Sequence, residues 1–431
     1  MLRGWTACAI IWKMPDKINL AKTIKARLPQ DLIDFIRRAG EAAEKDQQRL
    51  YLVGGVVRDL LLERHNLDLD LVVEGNAIKL AEQIASGKKV QVTAHPRFGT
   101  ATLRWSKCSA DITTARAETY TRPGALPAVR PGTINDDLFR RDFTINAMAI
   151  VLNPRQFGEI LDPHGGRQDI QKNLVRVLHD RSFIDDATRI WRALRYEQRL
   201  DFNLERATLA LLKKGVIYLD TISGDRIRHE LERVFKEELP EKALRRADEL
   251  GVLGKVHPSL KCDDWLMETF ALARERTLPD TFPHAELYLA LLCYRLAPEE
   301  TEKLISYLHL PKVAARALRE TVELKEKIKE LSAHGLPPSQ IYGLVHGYGM
   351  TALTANSLAA GSATAAEHIE LYTNVLRYVN PALGGNDLKN MGVPAGPEIK
   401  EIVQKLREAR LDGKITSRIE EEAMVRLFIG K

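Results

Sequence analysis

The chain has 431 residues, 45% of them hydrophobic, with a formal net charge of +6. At about 100–200 residues per domain this predicts two to four domains with real buried cores, and the mildly basic balance favours a polyanionic partner. No apolar run approaches the ~20 residues that span a bilayer, so membrane association is not expected. The four cysteines include no Cys-x-x-Cys pair, which excludes a zinc framework or disulfide scaffold and points to a reducing, cytoplasmic setting.

Met1 to Gly4 followed by Trp5 to Trp12 faintly resembles a signal peptide. It has one basic residue and no cleavage site, so residues 1–28 read as an N-terminal extension. Apolar spacing near 3.6 then predicts a helix over 29–46. Arg49–Val53 reads as a short strand closed by Gly54-Gly55. Val57–Glu63 reads as a helix, Leu67–Val73 as a strand alternating Leu and Asp, and Ala77–Ala85 as a helix. Further strands are expected at Val90–Val92, Thr100–Arg104 and Ala110–Thr114. From about residue 180 nearly every segment has helical periodicity. Breaks fall at Ser223-Gly224, Leu278-Pro279, Leu310-Pro311, Pro337-Pro338 and Gly384-Gly385. The expectation is an α+β head, a mixed sheet flanked by helices over 29–152. An all-α remainder follows: a neck over 153–275 and a body and tail over 276–431.

Two features in the head carry chemistry. Gly54 and Gly55 at a strand-to-helix turn let backbone approach a phosphate, and Arg58 is placed to add a charge-assisted contact. Alone, that turn reads equally as an ordinary glycine-rich turn. No P-loop or full dinucleotide fingerprint is present. Asp68 and Asp70 follow in Asn66-Leu-Asp-Leu-Asp-Leu-Val-Val73. Strand residues i and i+2 share a face about 6–7 Å apart, and two adjacent carboxylates repel unless a cation bridges them. Hard oxygen ligands of this kind suit Mg²⁺.

These motifs, with four later ones in the same order, make the chain resemble a known family. Asp137 to Ala147 contains Arg140-Arg141-Asp142. Leu161-Asp162-Pro-His-Gly-Gly166 comes next, then Asp185-Asp186-Ala-Thr-Arg189-Ile-Trp-Arg192-Ala-Leu-Arg195, then Ser223-Gly224-Asp225-Arg226-Ile-Arg228. The set resembles the class II branch of the DNA polymerase β-like nucleotidyltransferases, the CCA-adding tRNA nucleotidyltransferases and bacterial poly(A) polymerases. The family pattern Glu-Asp-x-x-Arg begins here with Asp185 instead of Glu.

The resemblance implies template-independent transfer of C or A from CTP and ATP to a tRNA 3′ end. Two metal ions would sit on Asp68 and Asp70, and pyrophosphate would leave. It implies that Asp186 and Arg189 read the incoming base. As i and i+3 they would share a helix face. A carboxylate beside a guanidinium suits the amino group and acceptor nitrogen of cytosine and adenine. Arg192 and Arg195 continue that series as a cationic stripe for triphosphate and ribose. Arg141 is a further phosphate candidate, and Asp142 a brace for an arginine. Asp111 stands either as a third acidic group beside the metals or as an ordinary strand residue.

Residues 116–127 read as a flexible loop, which in relatives accompanies A addition and argues against a CC-only enzyme. Full CCA addition, A-only addition and poly(A) synthesis stay open, as does the oligomeric state; a non-catalytic RNA-binding protein is the remote alternative. Pro397 is expected to open a helix in a tail that resembles the same family. His179-Asp180 matches the dipeptide of metal phosphohydrolases, but without further ligands it reads as structural.

Overall fold

The computed structural model describes residues 19–86, 89–106, 108–276 and 285–430. The Trp5 to Trp12 patch and the Leu278-Pro279 break lie outside them. The chain forms two compact units, one ending at Ile222 and one beginning at Ser223, a division that differs from the expected boundaries after 152 and 275.

Residues 19–28, expected within an extension, are built into the first unit. The Leu20 N–H donates to the Gly158 carbonyl at 2.8 Å, and helix α1 (Ala21–Arg27) follows. Helix α2 (Gln30–Lys45) turns Leu32, Phe35, Ile36, Ala39 and Ala43 inward at the spacing of an amphipathic helix. Gly40 lies on that inward face, where a Cβ would stand 2.1 Å from the Leu152 carbonyl oxygen. Gly40→Ala is therefore expected to destabilise by about 1–3 kcal/mol through overpacking, against the ~1 kcal/mol that alanine gains in helix propensity. Denaturant titration checks the sign; a stabilised variant would contradict this packing.

Seven strands form one mixed sheet in the order β3-β4-β5-β2-β1-β8-β9. They are β1 (Arg49–Val53), β2 (Leu69–Glu74), β3 (Gln91–His95), β4 (Thr100–Trp105), β5 (Cys108–Thr114), β8 (Ala149–Val151) and β9 (Ile160–Leu161). β2 and β5 run parallel and all other neighbours antiparallel. Helix α3 (Gly55–Leu61) follows β1, and α4 (Ala77–Ala85) follows β2. The sheet continues to residue 161, past the expected end of the head.

The strand period of two sets the sheet's faces. Leu50, Leu52, Leu69, Leu71 and Val73 are buried on one face, the side covered by α2 and α4. On the other face Tyr51, Val53 and Val72 pack with Ile134 and Leu138. Those two come from α5 (Ile134–Phe139), whose N-terminus is closed by a Thr133–Asp136 capping box. Nearer the start of β2 the same face is open, and there Asp70 is exposed. Residues 116–127 are not a simple loop. β6 (Arg116–Thr119) pairs antiparallel with β7 (Ala128–Pro131), leaving only 120–127 as the connection.

The first unit closes with α6 (Gly166–Gln171), α7 (Ser182–Asp185), α8 (Thr188–Leu200) and α9 (Arg206–Gly215), plus a parallel pair β10 (Leu174–Val175) and β11 (Asn203–Leu204). Trp191 is fully buried core.

The second unit is helical from Gly224–Val234 to Arg418–Phe428, with no strand among its described residues. Helices begin at or beside the expected breaks: Gly224, Lys312, Pro338 and Gly385. Gly224 is required by packing, since a Cβ there would stand 1.7 Å from the Tyr307 carbonyl oxygen. Pro397 opens the helix Pro397–Leu411 at its first position, as expected. No helix among the described residues is long and apolar enough to cross a membrane.

Candidate active site

The open face of the sheet gathers three carboxylates. Asp70 on β2 is the register partner of Asp111 on the parallel strand β5, so the two side chains leave the sheet on the same side on adjacent strands. Asp68 lies just before β2 rather than in it, which corrects the expected strand start at Leu67. Asp111 accepts a 2.6 Å hydrogen bond from Thr102 Oγ1, its partner on β4. Withdrawal of water from Asp70, together with the charges of Asp111 and Asp68, raises its pKa above the ordinary 3.8, while Arg141 acts in the opposite direction. This favours the reading of Asp111 as a third member of the acidic group. Among the described residues no set of three His, Cys, Asp or Glu side chains already stands at metal-holding distance. The site is an open carboxylate cluster whose mutual repulsion a divalent cation would relieve. Hard oxygen donors on one face of a sheet fit Mg²⁺, which completes its shell with water and phosphate oxygens.

Gly54 shapes the wall of this cluster. Its φ of +77° favours glycine. A Cβ there would stand 2.9 Å from Arg141 Nη1 and 3.6 Å from Asp70 Oδ2. The turn therefore leaves room for a guanidinium beside the acidic pair. Arg141 is aimed by Asp137, a fully buried carboxylate that sequence reasoning did not single out. Asp137 Oδ2 accepts from Arg141 Nη2 at 2.9 Å, while Oδ1 accepts from Arg140 Nε and Nη2 at 2.9 and 2.7 Å.

Arg58 does not face the site, which corrects the expected phosphate contact. It is 2% exposed, its Nε and Nη2 donate to the two oxygens of Asp59 at 2.8 and 2.9 Å, and its Nη1 donates to Asn146 Oδ1 at 2.6 Å. Its three outer nitrogens are thus committed inside the protein. Arg195 is also buried, with its guanidinium 4.7 Å from the Tyr196 ring centre. Arg192 is the more exposed member of the expected stripe, and its Nε and Nη2 converge on Asp142 Oδ2 at 2.8 and 2.6 Å. Asp142 thereby braces an arginine, as expected.

Asp186 and Arg189 are close, but not as two residues of one helix. Asp186 is extended (φ −141°, ψ 97°) between α7 and α8, and its Oδ1 accepts from the Thr188 N–H and hydroxyl. Asp186 thus lies outside α8, whose N-cap is Ala187, and its side chain forms a local turn onto Thr188. Arg189, in the first turn, donates to Ser182 Oγ at 2.7 Å and to the Arg140 carbonyl at 2.8 Å. A guanidinium has five N–H donors, so these two bonds fix its plane without exhausting it.

Arg189 lines a cleft of about 820 Å³ whose walls include Glu118, Tyr120, Phe139, Arg140 and His179. The Tyr120 hydroxyl donates to Glu118 at 3.0 Å and lies within electrostatic reach of both Arg189 and Asp186. Burial and the Glu118 charge push its pKa up to about 12. Burial and Arg189 hold His179 below the ordinary imidazole range. His179 packs against exposed Phe139 at 5.3 Å between ring centres.

A mixed sheet bearing a Gly-Gly turn and an open acidic cluster, in one unit with a cleft lined by Arg189, has the parts of a nucleotidyltransferase head. Comparison with known proteins agrees. The Poly A polymerase head domain matches residues 50–176, and the probable RNA and SrmB-binding site of polymerase A matches residues 201–263. The chain is 31% identical to the CC-adding tRNA nucleotidyltransferase of Deinococcus radiodurans, over 93% of this chain and 95% of that one. It is 34% identical to the A-adding tRNA nucleotidyltransferase of Geobacter sulfurreducens over 91% of this chain, and spans 47% of that relative's length. A solved complex of a CCA-adding enzyme with ATP superposes with a TM-score of 0.81 at 31% identity, covering 97% of this chain and all of the other. The chain belongs to the family of tRNA nucleotidyltransferases and poly(A) polymerases.

Proposed function

We propose that the protein is a template-independent nucleotidyltransferase that adds C, A or both to the 3′ end of tRNA from CTP and ATP, releasing pyrophosphate. The carrying observation is the open cluster of Asp68, Asp70 and Asp111 beside Gly54 and Arg141. Asp68 and Asp70 would hold two Mg²⁺ ions, with Asp111 alongside. Bound there, Mg²⁺ supplies charge neutralisation at the α-phosphate and acidifies the attacking 3′-hydroxyl. The chain's own residues supply the rest. Gly54 leaves space for phosphate to approach. Arg141, held by Asp137, donates charge-assisted hydrogen bonds to phosphate oxygens. Arg189, its plane fixed by Ser182 and Arg140, donates to the acceptor edge of the base, and Asp186 accepts from the amino group. Cytosine and adenine present that pattern; uracil and guanine present its reverse. Each mismatch leaves a buried polar group unpaired, about 1–3 kcal/mol.

Full CCA addition is the leading reading, carried by the near-complete superposition on a CCA-adding enzyme. A-only addition is the second, favoured by the Geobacter relative. Three RNAs separate them: tRNA ending before CCA, tRNA ending in CC, and an unrelated RNA, each with CTP or ATP alone. The leading reading expects C on the first and A on the second. Incorporation of A only, after CC, would overturn it in favour of the second, and extension of the unrelated RNA would favour a poly(A) polymerase. The three described cysteines are free thiols, in keeping with action in the cytoplasm.

A further inference from the structure

A chain of hydrogen bonds runs from α8 to the acidic loop. Arg192 pairs with Asp142, and Asp142 Oδ1 accepts from Asn146 Nδ2 at 3.1 Å. Asn146 Oδ1 accepts from Arg58, and Arg58 grips Asp59 with two nitrogens. Asp59 Oδ2 also accepts from Asn66 Nδ2 at 2.7 Å. Asn66 Oδ1 then accepts the backbone N–H of Asp68 at 2.9 Å. Arg58, Asp59, Asn146 and Asp142 are 2%, 2%, 5% and 6% exposed.

The last link matters because of where β2 begins. Its pairing with β5 starts at Leu69, so no neighbouring strand holds the Asp68 backbone. Asn66 supplies that hold by an Asx turn, the side-chain mimic of a backbone turn. The turn is itself tethered, because the other end of the Asn66 amide is fixed on Asp59. The two charge pairs, Arg58 with Asp59 and Arg192 with Asp142, are each internally neutral, which suits a buried framework.

We propose that Asn66 is a positioning residue that presets Asp68 for metal binding, anchored through Asp59 and Arg58 to the framework that also holds Arg192. The inference rests on Asp68 being a metal ligand, as in the proposed function. Groups that orient metal ligands typically change metal affinity by about 10–100-fold when removed. Because Asn66 acts through backbone, about ten-fold is expected.

The test is Mn²⁺ binding followed by the EPR signal of free Mn²⁺, in the presence of an ATP analogue with a methylene between the α and β phosphorus atoms. Wild type is compared with Asn66→Ala, which removes both links. It is also compared with Asn66→Asp, which keeps the turn acceptor but sets a second carboxylate against Asp59. Asn66→Ala should raise the half-saturating Mn²⁺ concentration about ten-fold and shift the Mg²⁺ dependence of nucleotide incorporation in parallel. Analogue affinity without metal should stay within about two-fold of wild type, a change of under ~0.5 kcal/mol. Asn66→Asp should fall short of wild type, because the tether to Asp59 is lost. Should Asn66→Ala not fold, Asn66→Ser, which can form the weaker hydroxyl version of the turn, takes its place. Unchanged Mn²⁺ binding in the folded variants, or a lowered melting temperature as the only effect, overturns the proposal. Failure of the wild type to extend any tRNA would instead overturn the proposed function, and the Mn²⁺ comparison would still decide the role of Asn66.

Discussion

Asp70→Ala is expected to lower nucleotide incorporation by about 10³-fold or more, some 4 kcal/mol of transition-state stabilisation, while leaving the fold intact. The second half of that expectation is as specific as the first. Asp70 stands on the open face of the sheet, where neighbouring groups withdraw water from its carboxylate and it faces the like charges of Asp111 and Asp68. A carboxylate whose folded pKa is raised is one whose charge the fold holds at a disadvantage. Removing it relieves repulsion, so the melting temperature should stay level or rise, the usual trade between a functional site and stability. Parallel measurement of single-turnover incorporation and thermal melting checks both. Lost activity with a marked drop in melting temperature would recast Asp70 as structural. Retained activity would remove it from the metal site.

Asp142→Ala should behave in the opposite way. Asp142 is buried and accepts from Arg192, Asn146 and the Phe143 N–H. Burial alone would raise its pKa. Arg192, Asn146, Arg189 and the Phe143 amide outweigh burial and hold it below the ordinary 3.8. Removing one partner of such a buried pair costs about 3–5 kcal/mol, with the lower end expected because Arg192 keeps some access to water. A carboxylate with a depressed folded pKa contributes stability above its unfolded pKa, and loses it as pH falls through the folded value. The difference in stability between wild type and Asp142→Ala should therefore be full at pH 7 and shrink below about pH 4. Denaturant titrations at pH 7, 5 and 3 check this. A difference that stays constant down to pH 3 would mean that Asp142 acts by packing and not by charge.

Much of the head could be read from sequence because its signals are local. The strand Arg49–Val53 and the helix Ala77–Ala85 lie where composition and periodicity place them. The period of two puts Asp70 opposite its buried leucines. Asp111 could not be assigned from sequence, since only the parallel register of β2 and β5 brings it beside Asp70. Arg58 was misleading for a physical reason. An arginine beside two glycines suggests a phosphate, whereas helix residues i and i+1 do not normally face each other, so its pairing with adjacent Asp59 was not foreseeable. The spacing of Asp186 and Arg189 suggests one helix, but Asp186 is extended between two helices and turns its side chain onto Thr188. Asn66, Asp137 and Tyr120 lie in or beside quoted motifs, yet their roles depend on partners up to about seventy residues away. The pairing of Arg116–Thr119 with Ala128–Pro131 was hidden by the proline- and glycine-rich stretch between them, which reads as loop. The unit boundary at Ile222 follows from tertiary packing and has no local mark apart from Ser223-Gly224.

The most direct test of the account is a gel-resolved incorporation assay on a tRNA transcript ending in CC, with Mg²⁺ and each of the four nucleoside triphosphates supplied alone. The account predicts extension by ATP, one pyrophosphate released per nucleotide added, no comparable extension by GTP or UTP, and loss of the product when Asp70 is alanine. Extension by all four nucleotides alike, or undiminished extension without the Asp70 carboxylate, would contradict it.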